Sequence, residues 1–162
     1  MNILVINGAN INQLGKEPHQ LNGPVSLAHI EENMHKLASE IEINIEFFQS
    51  NIEGEIVNKI HQSRELKDGI IINAGSYSQT SMAIADAIKS VFLPAVEIIL
   101  GNITMNVDER AKTIISPSCV GLITGFGPFS YHLGLLSLHN TIMEIRAHQE
   151  QQQQEQQEQK ME

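Results

Sequence analysis

Five short apolar runs, the first four separated by stretches with helical periodicity, constrain this 162-residue chain more than any other feature. The first, "NILVIN" at residues 2–7, is apolar nearly throughout and closed by polar residues, the pattern of a strand buried on both faces. From Ser26, which can cap a first turn, Leu27, Ile30, Met34, Leu37 and Ile41 fall three and four apart and predict a helix. "INIEFFQ" alternates Ile43, Ile45 and Phe47 inward and reads as a second strand, followed by a helix carrying Ile52, Ile56, Val57 and Ile60. "GIIIN" (69–73) is short and β-branched, a third strand. The segment from Thr80 has helical spacing at Ala83, Ile84, Ala87, Ile88 and Val91. "PAVEIIL" (94–100) and "CVGLITG" (119–125) supply two more strands, and a long closing helix starts at Ser130.

Strands of this kind, alternating with helices, predict a parallel sheet covered on both faces and joined by right-handed crossovers. The expected architecture is α/β, a flavodoxin-like three-layer sandwich with a five-stranded parallel sheet. Residues 1–148 make one domain. The tail 149–162, "QEQQQQEQQEQKME", has no apolar face to bury and is either a frayed helical extension or disordered. Sheets of this class bind ligands outside the carboxyl ends of their strands, which directs attention to loops 8–25, 50–52, 74–79, 101–118 and 125–129.

Charge and composition exclude several functions. The formal charge of −9 arises from 19 acidic against 10 basic residues, with no Arg/Lys cluster to follow a phosphate backbone, so no nucleic-acid partner is expected. No apolar stretch approaches the roughly 20 residues of a spanning helix, and the first residues lack a secretory pattern. No membrane association and a cytoplasmic location are the expectations. The single cysteine, Cys119, sits in apolar "SCVGLI" and reads as a small buried hydrophobe rather than a nucleophile. The seven histidines show no metal-ligand spacing with a carboxylate, so no metal is expected. Gly8 and Gly15 match neither the dinucleotide fingerprint nor the P-loop.

Three loops could hold chemistry. "NGANINQLGKEPHQLNG" (7–23) is almost wholly polar. "NAGSYSQTS" (73–81) crowds hydroxyls and an amide around a helix N-terminus, suited to an anion or a polyol. "EIILGNITMNVDER" (97–110) places Arg110 where it can take a carboxylate, with backbone donors near Leu100 and Gly101. Taken singly, each Asn/Gly-rich loop is also explained as a turn. Glu97, inside an apolar strand, needs partners and is either a structural anchor or a site group.

"ILVINGANINQLG", "FFQSNIEGEIVNKI", "GIIINAGSYSQTSMAIADAI", "PAVEIILGNI" and "GLITGFGPFSYHLGL" together resemble the successive blocks of type II 3-dehydroquinate dehydratases, over nearly all of residues 2–148. The resemblance implies a cofactor-free hydro-lyase of the shikimate pathway, built as trimers that pack into dodecamers, whose ligand is a small cyclic polyol acid. It implies anti elimination of water through an enolate. A tyrosinate activated by arginine takes the proton, an asparagine stabilises the enolate through water, and a histidine held by a glutamate protonates the leaving hydroxyl. By the same resemblance Asn10 matches the enolate-stabilising asparagine, Asn73 a substrate-binding asparagine and Glu97 the histidine-orienting glutamate. Asp86 matches an aspartate that reaches across the trimer contact, Arg110 a ring-hydroxyl ligand, and Leu100 and Gly101 the carboxylate-binding amides.

The departures concern proton transfer. Asn22 stands at the position of the base, Glu17 at its activating arginine, Ile99 at the acid histidine, Gln79 at a substrate-binding histidine and Asn106 at a first lid arginine; Ala9 replaces the proline of the family's first motif. A carboxamide is no proton base, and an alkyl chain is no acid. Lys16 could stand for the arginine if the motif slips by one residue, and His19 or Glu17 could act as the base. Tyr77 and Tyr131 occupy other site loops at places that call for packing residues. Three functions follow: a divergent or silent dehydratase-type protein that keeps its pocket, a working hydro-lyase with substitute groups, or an interaction module using Asp86, Ser116 to Cys119 and the tail.

Overall fold

The structure, a computed structural model, describes residues 1–16, 25–105 and 112–159. Its elements run β1 (Asn2–Ala9), α1 (Leu27–Glu40), β2 (Asn44–Gln49), α2 (Glu53–Ser63), β3 (Gly69–Gly75), α3 (Met82–Val91), β4 (Ala95–Ile99), β5 (Gly121–Thr124) and α4 (Ser130–Gln159). All neighbouring strands are parallel, and their order is β2-β1-β3-β4-β5. The chain order therefore reverses between β1 and β3, where an open α/β sheet leaves a crevice.

The runs Ile3–Ile6 and Ile70–Ile72 are apolar on consecutive residues because these strands feed two cores. Ile3 and Val5 of β1, Ile71 of β3 and Val96 and Ile98 of β4 face α1 and α4, packing on Ile30, Met34, Leu135 and Leu138. Their neighbours Leu4, Ile6, Ile70 and Ile72 face α2 and α3, against Ile56, Ile60, Ile84 and Ile88. The period-2 alternation of side chains divides one continuous run between two layers. Full burial of each such side chain contributes about 1.5–3 kcal/mol. Close packing of α4 depends on Gly134, where a Cβ would lie 2.8 Å from Ile98 Cδ1.

Helix starts follow the hydroxyl caps. Ser26 Oγ accepts from the His29 amide at 3.2 Å, and Ser81 Oγ accepts from the Ile84 amide at 3.0 Å. Two apolar positions of the helical spacing do not face the core. Ile52 is the N-cap of α2 and is exposed, because the helix begins one residue later than the apolar spacing suggests. Ala83 is exposed while Ala85 is buried, since α3 starts at Met82 and its apolar stripe is rotated accordingly. The tail continues α4 as a helix to Gln159, exposed from Met143 to Glu158.

Candidate active site

Two glycines bring the carboxyl ends of β1 and β3 unusually close. A Cβ on Gly8 would lie 2.2 Å from the Ala74 carbonyl oxygen, and one on Gly75 (φ 63) would lie 2.2 Å from that of Ala9. No other residue fits either place without separating the strands. Just before them, Asn7 and Asn73 pair in register. Tyr131, from the first turn of α4, donates its phenol hydrogen to Asn7 Oδ1 at 2.5 Å and accepts from Asn73 Nδ2 at 3.0 Å. Asn73 Oδ1 accepts from the Gly75 amide at 3.3 Å. Asn73 thus retains one N–H and one lone pair for a ligand.

Beyond this network lies a cavity of about 240 Å³. Its polar wall comprises Asn73, Ser78, Gln79 and Thr113; Ile11, Leu14, Ile99, Leu100 and Ile103 form the apolar wall, with Gly75 and Gly101 at its edge. Each wall comes from a different strand end. Ile11 and Leu14 follow β1 in a 3-10 turn, Ser78 and Gln79 lie in the 3-10 turn after β3, and Ile99 to Ile103 run out of β4. Thr124 Oγ1 donates to the Gly101 carbonyl at 2.7 Å, and the Gly127 amide donates to the Leu100 carbonyl at 3.0 Å, bracing the last of these against β5.

Of the residues singled out from the sequence, Asn73, Gln79, Ile99, Leu100 and Gly101 come together on the wall of one cavity. Asn10 is exposed in the turn above it, left-handed at φ 67, with its amide donating to Asn51 Oδ1 at 2.9 Å. Asn10 is not itself a wall residue, although Ile11 beside it is. Asp86 lies on the exposed side of α3, 4.0 Å from Lys89, and stays away from the cavity. Glu17, His19, Asn22, Asn106 and Arg110 lie outside the described residues.

Glu97 lies behind the wall with no exposed surface. Thr113 Oγ1 is 2.9 and 2.8 Å from its two carboxyl oxygens. Burial pushes its carboxyl up to about 7, with the Thr113 hydrogen bond opposing that rise. Cys119 is driven up to about 12, chiefly by burial and further by Glu97, against which the Glu97 backbone hydrogen bond acts, so the thiol is inert at neutral pH. Burial also raises the Tyr131 phenol, which excludes it as a neutral-pH base. Tyr77 is committed elsewhere, donating to the Asn51 carbonyl at 2.8 Å. Among the described residues no group of three or more His, Cys, Asp or Glu could hold a metal ion, and no helix is long and apolar enough to cross a membrane.

Sequence reasoning missed Thr113. It carries no motif and sits between the mixed-charge "DERAK" and "IIS"; only its folding back beneath the turn after β3, where the Ile114 amide donates to the Ser78 carbonyl at 2.8 Å, brings it to Glu97.

A parallel α/β sheet reversing at β1/β3, with a partly polar cavity outside that crevice, defines a protein of the flavodoxin-like class. The family model described as Dehydroquinase class II matches residues 1–139, and the chain belongs to that family. Similar proteins include a 3-dehydroquinate dehydratase of a Nitratiruptor species, 48% identical over 151 residues that cover 93% of this chain and 97% of the relative. Another, from a Sulfurovum species, is 44% identical over 151 residues, covering 93% of each chain. Among solved structures, the type II dehydroquinase of Butyrivibrio crossotus superposes with a TM-score of 0.82 at 33% identity, covering 86% of this chain and 97% of that one.

Proposed function

We propose that the cavity is a 3-dehydroquinate-type site in which water elimination proceeds far more slowly than in family members with a complete set of proton-transfer groups. One observation carries this reading: Ile99 stands on the cavity wall where the resemblance calls for the acid histidine, with the carboxyl of Glu97 turned to Thr113 instead. Gln79 on the same wall, and Asn22 and Glu17 in sequence, extend the same loss to ligand binding, base and activator. General acid and base groups each contribute about 10²–10⁴-fold, and groups acting as a unit do not add. What survives is recognition: Asn73 with a free donor and acceptor, Asn10 above the cavity, and the Leu100–Gly101 turn for a carboxylate.

The reading extends to self-assembly, as trimers forming a dodecamer, in the cytoplasm. Exposed Met82 and Asp86 on α3 support an interface there.

Purified protein given 3-dehydroquinate should form the enone chromophore slowly, and an enolate-mimicking inhibitor at millimolar concentration should raise its melting temperature. Stabilisation without any enone identifies a silent binding protein. Absence of both refutes the reading and leaves an interaction module. A rate equal to that of an ordinary family member would mean that Lys16, Glu17 or His19 replaces the missing groups.

A further inference from the structure

The Glu97 carboxyl is a buried acid with a single described side-chain partner, and that partner faces the cavity. Thr113 Oγ1 touches both carboxyl oxygens, and Thr113 also belongs to the cavity wall, whereas Glu97 does not. No cation among the described residues pairs with Glu97.

Counting protons and lone pairs distinguishes two arrangements. The Thr113 hydroxyl has one proton to give and two lone pairs. One lone pair accepts from the Ile115 amide at 3.0 Å, shared with the Ser116 amide at 3.3 Å. The proton has two destinations: Glu97, or the Ser78 carbonyl at 3.2 Å, which also receives the Ile114 amide. If Glu97 is ionised, Thr113 must turn its proton inward, and a fully buried carboxylate is left with one described side-chain donor. If Glu97 is protonated, it donates to the second lone pair of Thr113, which is then free to present its own proton toward Ser78, another wall residue. Every valence of the hydroxyl is used in the second arrangement.

We propose that Thr113 is the hydroxyl that protonates the departing group of a ligand in this cavity and that Glu97 is the proton store behind it, a route that replaces the absent histidine. The proposal rests on the dehydroquinate reading of the site. In the step, a ligand hydroxyl takes the place of the Ser78 carbonyl as acceptor. As its C–O bond breaks, the bonding pair leaves with oxygen, which takes the Thr113 proton. Thr113 Oγ1 takes the Glu97 proton, and Glu97 is left as carboxylate. The new C=C uses the electron pair released when a Brønsted base from solvent removes the proton beside the ketone. That proton, passed back to Glu97, closes the cycle, and the net product is water and the enone.

The surroundings suit a proton store. Burial holds Glu97 near the neutral range, at about 7. Cys119 facing it stays a thiol, and Tyr131 of α4 stays a phenol. Burial biases His132 toward its neutral form, and Asp86 and Lys89 of α3 lie near each other at the surface. Among the described residues named here, Glu97 is the group that burial brings into the neutral range.

The test combines infrared difference spectra of wild type against Glu97→Gln with dehydration kinetics across pH. A protonated-carboxyl band that disappears with a midpoint near 7 and is missing in Glu97→Gln is expected, as is a turnover rate that falls over the same range. Thr113→Val should lower kcat roughly 10- to 100-fold with KM little changed, and Thr113→Ser should restore most of it. Glu97→Gln should remove the alkaline limb from what turnover remains. A Glu97 carboxyl already ionised at pH 6 overturns the proposal, as does a Thr113→Val protein with unaltered turnover and pH profile. If Thr113→Val does not fold, the wild-type band and the Thr113→Ser and Glu97→Gln profiles decide. Protein that is stabilised by dehydroquinate yet never forms enone overturns the relay alone. Protein that is not stabilised at all overturns the dehydroquinate reading, and the carboxyl band still reports on the proton store.

Discussion

Tyr131 and Asn7, 124 residues apart in the chain, meet with the phenol oxygen 2.5 Å from Oδ1. Both are fully buried. Their bond ties the first turn of α4 to the carboxyl end of β1, and through Asn73 it sets the orientation of an amide on the cavity wall. A structural bond between the first strand and the last helix thus determines what one ligand-facing residue can offer.

Tyr131→Phe removes a donor and an acceptor at once, leaving Asn7 Oδ1 and one Asn73 hydrogen unpaired in a dry site. The expected cost is about 1–3 kcal/mol in urea denaturation, with weaker stabilisation by an enolate mimic as the Asn73 amide loses its anchor. An unchanged midpoint and unchanged ligand shift would show the network to be dispensable.

Glu97 makes stability depend on pH in a defined window. Its folded carboxyl holds a proton up to about 7, against an ordinary value of 4.5, so between these values the folded state binds more protons than the unfolded one. Its contribution is full below about 4.5 and is lost as pH rises through 7. Melting temperature should fall between pH 5 and 8, and Glu97→Gln should flatten that part of the curve. Burial raises Glu31 in the same direction, so the difference between wild type and variant is the quantity to read. Glu46, lowered by hydrogen bonds to Lys59 and Lys67, acts in the opposite sense and only below its ordinary value.

Restoring the proton-transfer positions should restore rate. The combined variant Asn22→Tyr, Glu17→Arg, Gln79→His and Ile99→His is expected to raise turnover of dehydroquinate by roughly 10²-fold or more over wild type. Ile99→His alone should give much less, because acid and base act together. Enone formation at saturating substrate measures both.

Gly8→Ala should be strongly destabilising. A new Cβ 2.2 Å from a backbone oxygen is relieved only by parting β1 from β3, at a cost of about 3 kcal/mol or more. Gly54→Ala, with nothing within 4 Å of the new Cβ, is the control and should leave the denaturation midpoint unchanged or slightly raised.

Removal of residues 149–162 should leave melting temperature unaltered within about 1 °C, since among the described residues α4 has its last buried side chain at Ile142 and its last ion pair at Arg146, 2.6 Å from Asp68. Circular dichroism should lose only the helical signal of the removed segment, which is helical as a continuation of α4 and not through packing.

The apolar runs at Ile3–Ile6 and Ile70–Ile72 were sufficient to announce buried parallel strands, because a strand covered on both faces needs no polar alternation. Ser26 announced its helix because a cap acts locally. Ile52 and Ala83 share the helical spacing yet lie exposed, because spacing alone does not say where a helix starts, and a shift of one residue turns its stripe by about 100°. Asn73, Gln79, Leu100 and Gly101 were legible as site residues because they lie at or just past strand ends, which converge in this architecture, and Ile99 through the family resemblance.

The sequence by itself determined the sheet, its two cores and the strand ends that form the cavity, all of which follow from short-range periodicity and the burial of apolar side chains. Only the tertiary structure decided what the polar side chains do. Thr113 reaches Glu97 across 16 residues and Tyr131 reaches Asn7 across 124, and no local pattern encodes either partner. Hydrogen bonds are directional and short, so which donor meets which acceptor depends on how whole elements dock, and in this protein that docking sets the state of the buried acid beside the cavity.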